Sequence, residues 1–210
     1  MFEMFAAWGQ GCAACAHPIE TSRPGLEGRL CLQCRQGLPV ALERMARRPE
    51  FVDEAWTLGP YSGLLGGLVR SAKYGEREWL LAALGVELAE RAARSPLGRV
   101  NAIACVPSTP LRRMSRGFDA VALLARALPG VLDAPIVPVL ERRDGARQAG
   151  RTHAERRANV HGVFQARRRV SGAWLLVDDV LTTGTTASAC ALALREAGAA
   201  SIEVLVVAGG

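Results

Sequence analysis

The chain has almost no lysine: Lys73 is the single one among 26 lysine and arginine residues. So general a preference for arginine reflects coding bias, so bidentate recognition is not read into each guanidinium. Aromatic residues are scarce, at 5%, which leaves few flat platforms on which nucleic-acid bases could stack. No run of 18 or more apolar residues occurs, so no transmembrane helix and no membrane insertion are expected. Glu3 near the start, with no basic cluster ahead of an apolar segment, argues against a signal peptide, and a cytoplasmic location is the expectation. What remains is a chain of 210 residues, half of them hydrophobic and 22% charged. That is enough for one substantial core and a small appendage.

The net charge of +6 is concentrated. Between Arg142 and Arg169 nine arginines face only Asp144 and Glu155, and the rest of the chain is close to neutral. A field of that kind suits a polyanion such as pyrophosphate, a nucleotide or nucleic acid. A solvated loop would show the same composition.

The most informative stretch is Leu175-Leu176-Val177-Asp178-Asp179-Val180-Leu181-Thr182-Thr183-Gly184-Thr185-Thr186. It reads as an apolar strand, two carboxylates, a tight hydroxyl-rich loop and then a helix over residues 187–197. A helix N-terminus offers unpaired N–H groups to an anion. The four threonines add hydroxyl donors, and Gly184 permits close backbone approach. Asp178 and Asp179 can accept hydrogen bonds from neighbouring hydroxyls. A phosphorylated ribose presents both features.

Cys12, Cys15, Cys31 and Cys34 form a C-x₂-C-x₁₅-C-x₂-C pattern. Two paired thiolates in turns supply the tetrahedral site that zinc prefers. The segment holds too few apolar residues to fold alone, so metal would supply the missing stability. Two disulfides are the alternative, disfavoured in a cytoplasmic chain. His17 reads as a surface residue. Cys105 and Cys190 read as buried small hydrophobes.

In chain order, a short helix is expected over residues 39–48, a strand over 54–59, and a helix capped by Ser62 that ends at Lys73-Tyr74-Gly75. Leu80, Leu81, Leu84, Leu88 and Ala92 recur at helical spacing within residues 76–94. Residues 101–107 read as a strand whose run Ala102 to Val106 has no polar alternation, suited to a central parallel strand. A helix opens near Asp119, a short strand spans 135–140, and 202–207 form the last strand, after Gly198 caps the preceding helix. Strands alternating with helices predict a parallel α/β sheet.

The stretch Leu175 to Thr186 resembles, at twelve consecutive positions, the motif by which type I phosphoribosyltransferases bind 5-phosphoribosyl pyrophosphate (PRPP). The resemblance implies that Asp178 and Asp179 hold the ribose hydroxyls. It likewise implies that Leu181, Thr182, Thr183, Gly184, Thr185 and Thr186 bind the 5′-phosphate. It places a pyrophosphate loop at residues 107–113, with Ser108, Arg112 and Arg113 as donors, and a mobile loop containing Arg143, Arg147, Gln148 and Arg156. Arg116-Gly117-Phe118, Lys73-Tyr74-Gly75, the Arg-Gln-Glu-Arg-Asn stretch and the cysteine pairs occur in the order seen in ComF proteins, and the chain is identified as similar to that family. Asp119 and Ala120 depart from its usual Asn-Gln, and Ala146 and Arg151 replace its usual Thr and Leu.

The resemblance implies a type I phosphoribosyltransferase-like parallel sheet flanked by helices, over residues 49–210, behind a small zinc ribbon and connecting helix, over 1–48. It implies structural zinc, magnesium carried with PRPP, and a link to natural competence and DNA uptake. Transfer of phosphoribosyl to an unidentified acceptor is the expected activity. The alternatives are a PRPP sensor, a single-stranded DNA-binding module, or a docking module for a helicase or channel of the uptake machinery. No residue stands out as general base; His153 reads as a solvated loop histidine. Phe118 would either stack on a base or fill the core.

Overall fold

A computed structural model describes residues 11–19, 26–75, 77–109, 111, 114–115, 117–143 and 163–210. After a 3₁₀ turn at Glu27–Arg29, the elements are α1 (Leu32–Gln36), β1 (Glu43–Arg44), β2 (Glu54–Pro60), α2 (Leu64–Tyr74), α3 (Glu78–Ala92), β3 (Ala102–Cys105), α4 (Ala120–Ala125), α5 (Pro129–Leu132), β4 (Leu140–Arg142), β5 (Phe164–Ala166), β6 (Ala173–Leu181), α6 (Thr185–Ala197) and β7 (Ser201–Gly209). The main sheet runs β1-β2-β7-β6-β3. Only β1 is antiparallel to its neighbour; the other pairings are parallel. The expected α/β architecture is present.

Apolar strands without polar alternation need cover on both faces. On one face Leu68 of α2, Leu84 and Leu88 of α3 and Leu124 of α4 pack with Leu175, Val177 and Leu205. On the other, Ala187, Cys190 and Leu194 of α6 meet Leu176, Val204 and Val206, with Phe164 of β5 alongside. Leu84 and Leu88 are fully buried, and truncating such a leucine to alanine costs roughly 2–5 kcal/mol. Leu26, Leu30 and Leu42 join the first of these cores. The cysteine-bearing segment therefore leans on α2 and α3. Arg29 stacks over the Trp79 ring at 5.1 Å, and Arg91 Nε donates to Pro39 O at 2.8 Å.

Three local expectations are corrected. Residues 39–48 contain no helix: Glu43 and Arg44 pair with Thr57 and Trp56 along the edge of β2, and Arg44 forms an ion pair with Glu54. So short a segment has little helical stability of its own, and cross-strand pairing prevails. Gly63, not Ser62, precedes α2 as its cap, at φ 93°. Residues 135–140 do not form one strand: Ile136 makes a single parallel bridge to Ile103, and β4 begins only at Leu140, paired with β5. Gly198 ends α6 as expected, and Asp119 caps α4 through Val121 N and Ala122 N.

Helices α3 and α4 approach so closely that a Cβ on Gly85 would lie 2.5 Å from Leu124 O. Gly85→Ala should therefore destabilise the protein by about 1–3 kcal/mol, against the gain that alanine brings to a free helix. Urea unfolding monitored by circular dichroism checks this.

Candidate sugar-phosphate site and cysteine cluster

β6 is a central strand, flanked by β3 and β7, so polar side chains find room only near its carboxyl end. Leu175, Leu176 and Val177 are wholly buried; the next two residues are the carboxylates. Successive strand residues point to opposite faces. Asp178, half-buried, lies on the face of α6, where its charge is felt by Cys190. Its Oδ1 accepts from Asp179 N at 2.8 Å. Asp179 is 8% exposed and forms an ion pair through Oδ2 with Lys73 Nζ from the last turn of α2.

Beyond the carboxylates the chain turns sharply into α6. Gly184 precedes that helix at φ 76°, ψ −4°. A side chain there would be strained, and its Cβ would sit 3.3 Å from Pro49 Cγ. Thr182, Thr183, Thr185 and Thr186 are exposed around this turn, and the Thr183 and Thr185 hydroxyls are 3.1 Å apart. Leu181 differs: its side chain is buried in the core, so only its main chain faces the loop, and Leu181 O accepts from Gly210 N at 3.0 Å. The linker ahead of β2 braces the turn from outside, with Glu50 N donating to Ser188 Oγ at 2.9 Å.

Register brings the loop after β3 to the same end of the sheet. Cys105 pairs with Val177, and Val106 N donates to Val177 O at 2.9 Å. Ser108 is half-buried and donates to Asp119 Oδ1 at 3.2 Å. Burial first, then the charges of Asp119 and Asp178, push the Cys105 thiol up to about 12. Burial pushes Cys190 well above the usual range too. Neither is a thiolate nucleophile near neutral pH. Phe118 is half-buried and packs against the core.

Of the residues expected in the mobile loop, Arg143 is exposed at the end of the β4–β5 hairpin and donates through Nε to Gln165 Oε1. Arg112, Arg113, Arg147, Gln148 and Arg156, with His153, lie outside the described residues. A cleft of about 560 Å³ lined by Leu42, Arg44, Glu54, Trp56 and Glu203 is nearer the amino ends of β2 and β7 and contains none of the expected residues. Lys73, absent from the sequence-based site, is brought to it by the packing of α2 against β7. Its being the lone lysine was the available signal.

The cysteines converge. The sulfurs of Cys12, Cys15, Cys31 and Cys34 all lie within 4.8 Å of one another, and Cys15 and Cys31 are 3.7 Å apart. Tetrahedral zinc at about 2.3 Å from each sulfur would separate them by about 3.8 Å, so the cluster is compatible with a structural zinc ion. Burial opposes ionisation of Cys12, but backbone N–H groups of Cys31, Cys15 and Ala14 outweigh it and bring the thiol down to about 6. Burial and the neighbouring thiols push Cys34 up. His17 is exposed.

No protein-family model matches the chain. DNA utilization protein YhgH of Escherichia coli K12 is 28% identical over 209 residues, spanning 94% of this chain and 88% of that protein. Its counterpart in Salmonella typhimurium is 30% identical over the same shares. Competence protein F of Haemophilus influenzae is 30% identical over 168 residues, 72% of this chain and 71% of that protein. Among solved structures, glutamine PRPP amidotransferase from B. subtilis, complexed with ADP and GMP, aligns with a TM-score of 0.43 and 25% identity. That alignment covers 60% of this chain and a quarter of the amidotransferase chain.

Purified protein should carry about one zinc per chain, and Cys31→Ser/Cys34→Ser should carry almost none. Because Leu26 and Leu30 pack on the main core, the variant should also melt at a lower temperature. Elemental analysis and calorimetric melting check both.

Proposed function

The chain belongs to the ComF family of competence proteins, and on that premise we propose that it binds PRPP with Mg²⁺ and transfers the phosphoribosyl group to an acceptor in the service of DNA utilization. One observation carries the reading: two carboxylates lie near the carboxyl end of a central strand, separated by two residues from an exposed threonine rim around a left-handed glycine. Main-chain N–H groups at the start of α6, with the hydroxyls of Thr182, Thr183, Thr185 and Thr186, suit a 5′-phosphate. Asp178 and Asp179 suit the ribose diol, since ionised carboxylates accept strongly from hydroxyls.

In the reaction the bond from ribose C1 to the pyrophosphate oxygen breaks, and a bond from C1 to the acceptor forms. The acceptor's proton passes to solvent or to a base on the substrate. Positive charge grows on the ribose as the leaving group departs, and fixed carboxylates nearby stabilise it electrostatically. Magnesium, carried with the pyrophosphate, would neutralise the leaving group. Ser108, at the same end of the sheet, fits a pyrophosphate contact, and Arg112 and Arg113 follow it in sequence. The four thiols would hold structural zinc, and the chain would work in the cytoplasm.

A second reading rests on the β4–β5 hairpin, where Arg142, Arg143, Arg167, Arg168 and Arg169 are all exposed. That edge suits a nucleic-acid backbone, and Arg142 lies over Phe164, 5.4 Å from the ring centroid. It is compatible with the first reading, since a DNA-utilization enzyme can hold DNA beside its active site.

Calorimetric titration with Mg²⁺-PRPP should show saturable binding, weakened by about a hundredfold or more in Asp178→Ala/Asp179→Ala. Absence of binding by the wild type would refute the reading. Single-stranded DNA affinity that falls steeply with salt would then put the arginine hairpin first.

A further inference from the structure

We infer that Lys73 is a positioning residue of the sugar-phosphate site, anchoring Asp179 through one oxygen so that the other stays open to a ribose hydroxyl. The inference rests on the phosphoribosyl reading above and adds a residue to it. Three observations support it. Lys73 Nζ meets Oδ2 of Asp179 in a pair whose side chains are only 17% and 12% exposed. The two residues come from different elements, α2 and β6, so the contact fixes the carboxylate from outside its own strand. And this is the one lysine among 26 lysine and arginine residues.

The last point is chemically selective. Coding pressure towards arginine has filled every other cationic position of the chain. A guanidinium is a planar fork that takes both oxygens of a carboxylate at once. An ammonium is a point donor and engages one. At Asp179 a fork would engage both oxygens of the carboxylate and leave a sugar hydroxyl only their outward lone pairs. Alternation puts Asp178 on the other face of β6. The adjacent carboxylates therefore differ: Asp178 is oriented by the backbone N–H of Asp179, and Asp179 by Lys73.

The test uses the zinc-loaded full chain, titrated with Mg²⁺-PRPP, with melting temperature read in parallel. Lys73→Arg keeps the charge and the pair. It should melt close to the wild type yet bind PRPP roughly tenfold or more weakly, as expected for one lost hydrogen bond to a charged group. If Lys73 served the fold alone, arginine would restore both properties, and wild-type affinity in Lys73→Arg overturns the inference. Should that variant not fold, Lys73→Met with Asp179→Asn carries the test. The double variant should bind no more weakly than Asp179→Asn alone, and a further independent loss would overturn the inference. Failure of the wild type to bind PRPP would instead remove the phosphoribosyl reading itself, a result distinct from both.

Discussion

Parallel pairing of β6 between β3 and β7 is the constraint on which the site depends. A strand covered on both faces has no place for charge along its length, because an unpaired buried carboxylate costs several kcal/mol. Charge can appear only where the strand leaves the sheet. Asp178 and Asp179 sit close to that point, past the fully buried run Leu175 to Val177 and past the last residue paired with β3, with β7 still alongside. The turn that follows must be tight for α6 to fold back over the sheet, and Gly184 in the left-handed region makes it so. The same turn that closes the βα unit exposes the threonine hydroxyls and the start of the helix.

Neighbouring elements then complete the site through register. β3 pairs with β6 so that the loop bearing Ser108 emerges beside the carboxylates. On one face α2 delivers Lys73. From outside, the linker between the cysteine cluster and β2 braces the threonine turn through Pro49 and Glu50. Among the described residues the cysteine segment reaches this turn through the linker, and it packs on α2 and α3. Zinc, by holding that segment together, would secure the brace without approaching the substrate.

How much of this was legible in the sequence depended on distance along the chain. The strand, the two acids, the glycine turn and the helix are consecutive, and each leaves its mark in residue type. The cysteine pairs announce themselves by spacing. The apolar runs of β3 and β7 and the leucines of α3 were equally plain. Interactions between distant segments were not. Residues 39–48 have helix-compatible composition, yet the free edge of β2 captures Glu43 and Arg44. β4 and β5 pair residues more than twenty positions apart, and the Asp144-Gly145 that follows β4 in sequence does not point to so distant a partner. Lys73 and Asp179 lie on different elements, and neither residue's neighbours indicate the other. Leu181 belongs to the loop motif in sequence but to the core in space.

A crystal structure of the protein with Mg²⁺-PRPP tests the central claim most directly. The account predicts the 5′-phosphate on the main-chain N–H groups of residues 183–186, with the ribose diol on Asp178 and Asp179 and Lys73 still on Oδ2 of Asp179. Phosphate bound instead among the arginines of the β4–β5 hairpin, with the threonine turn empty, would contradict it.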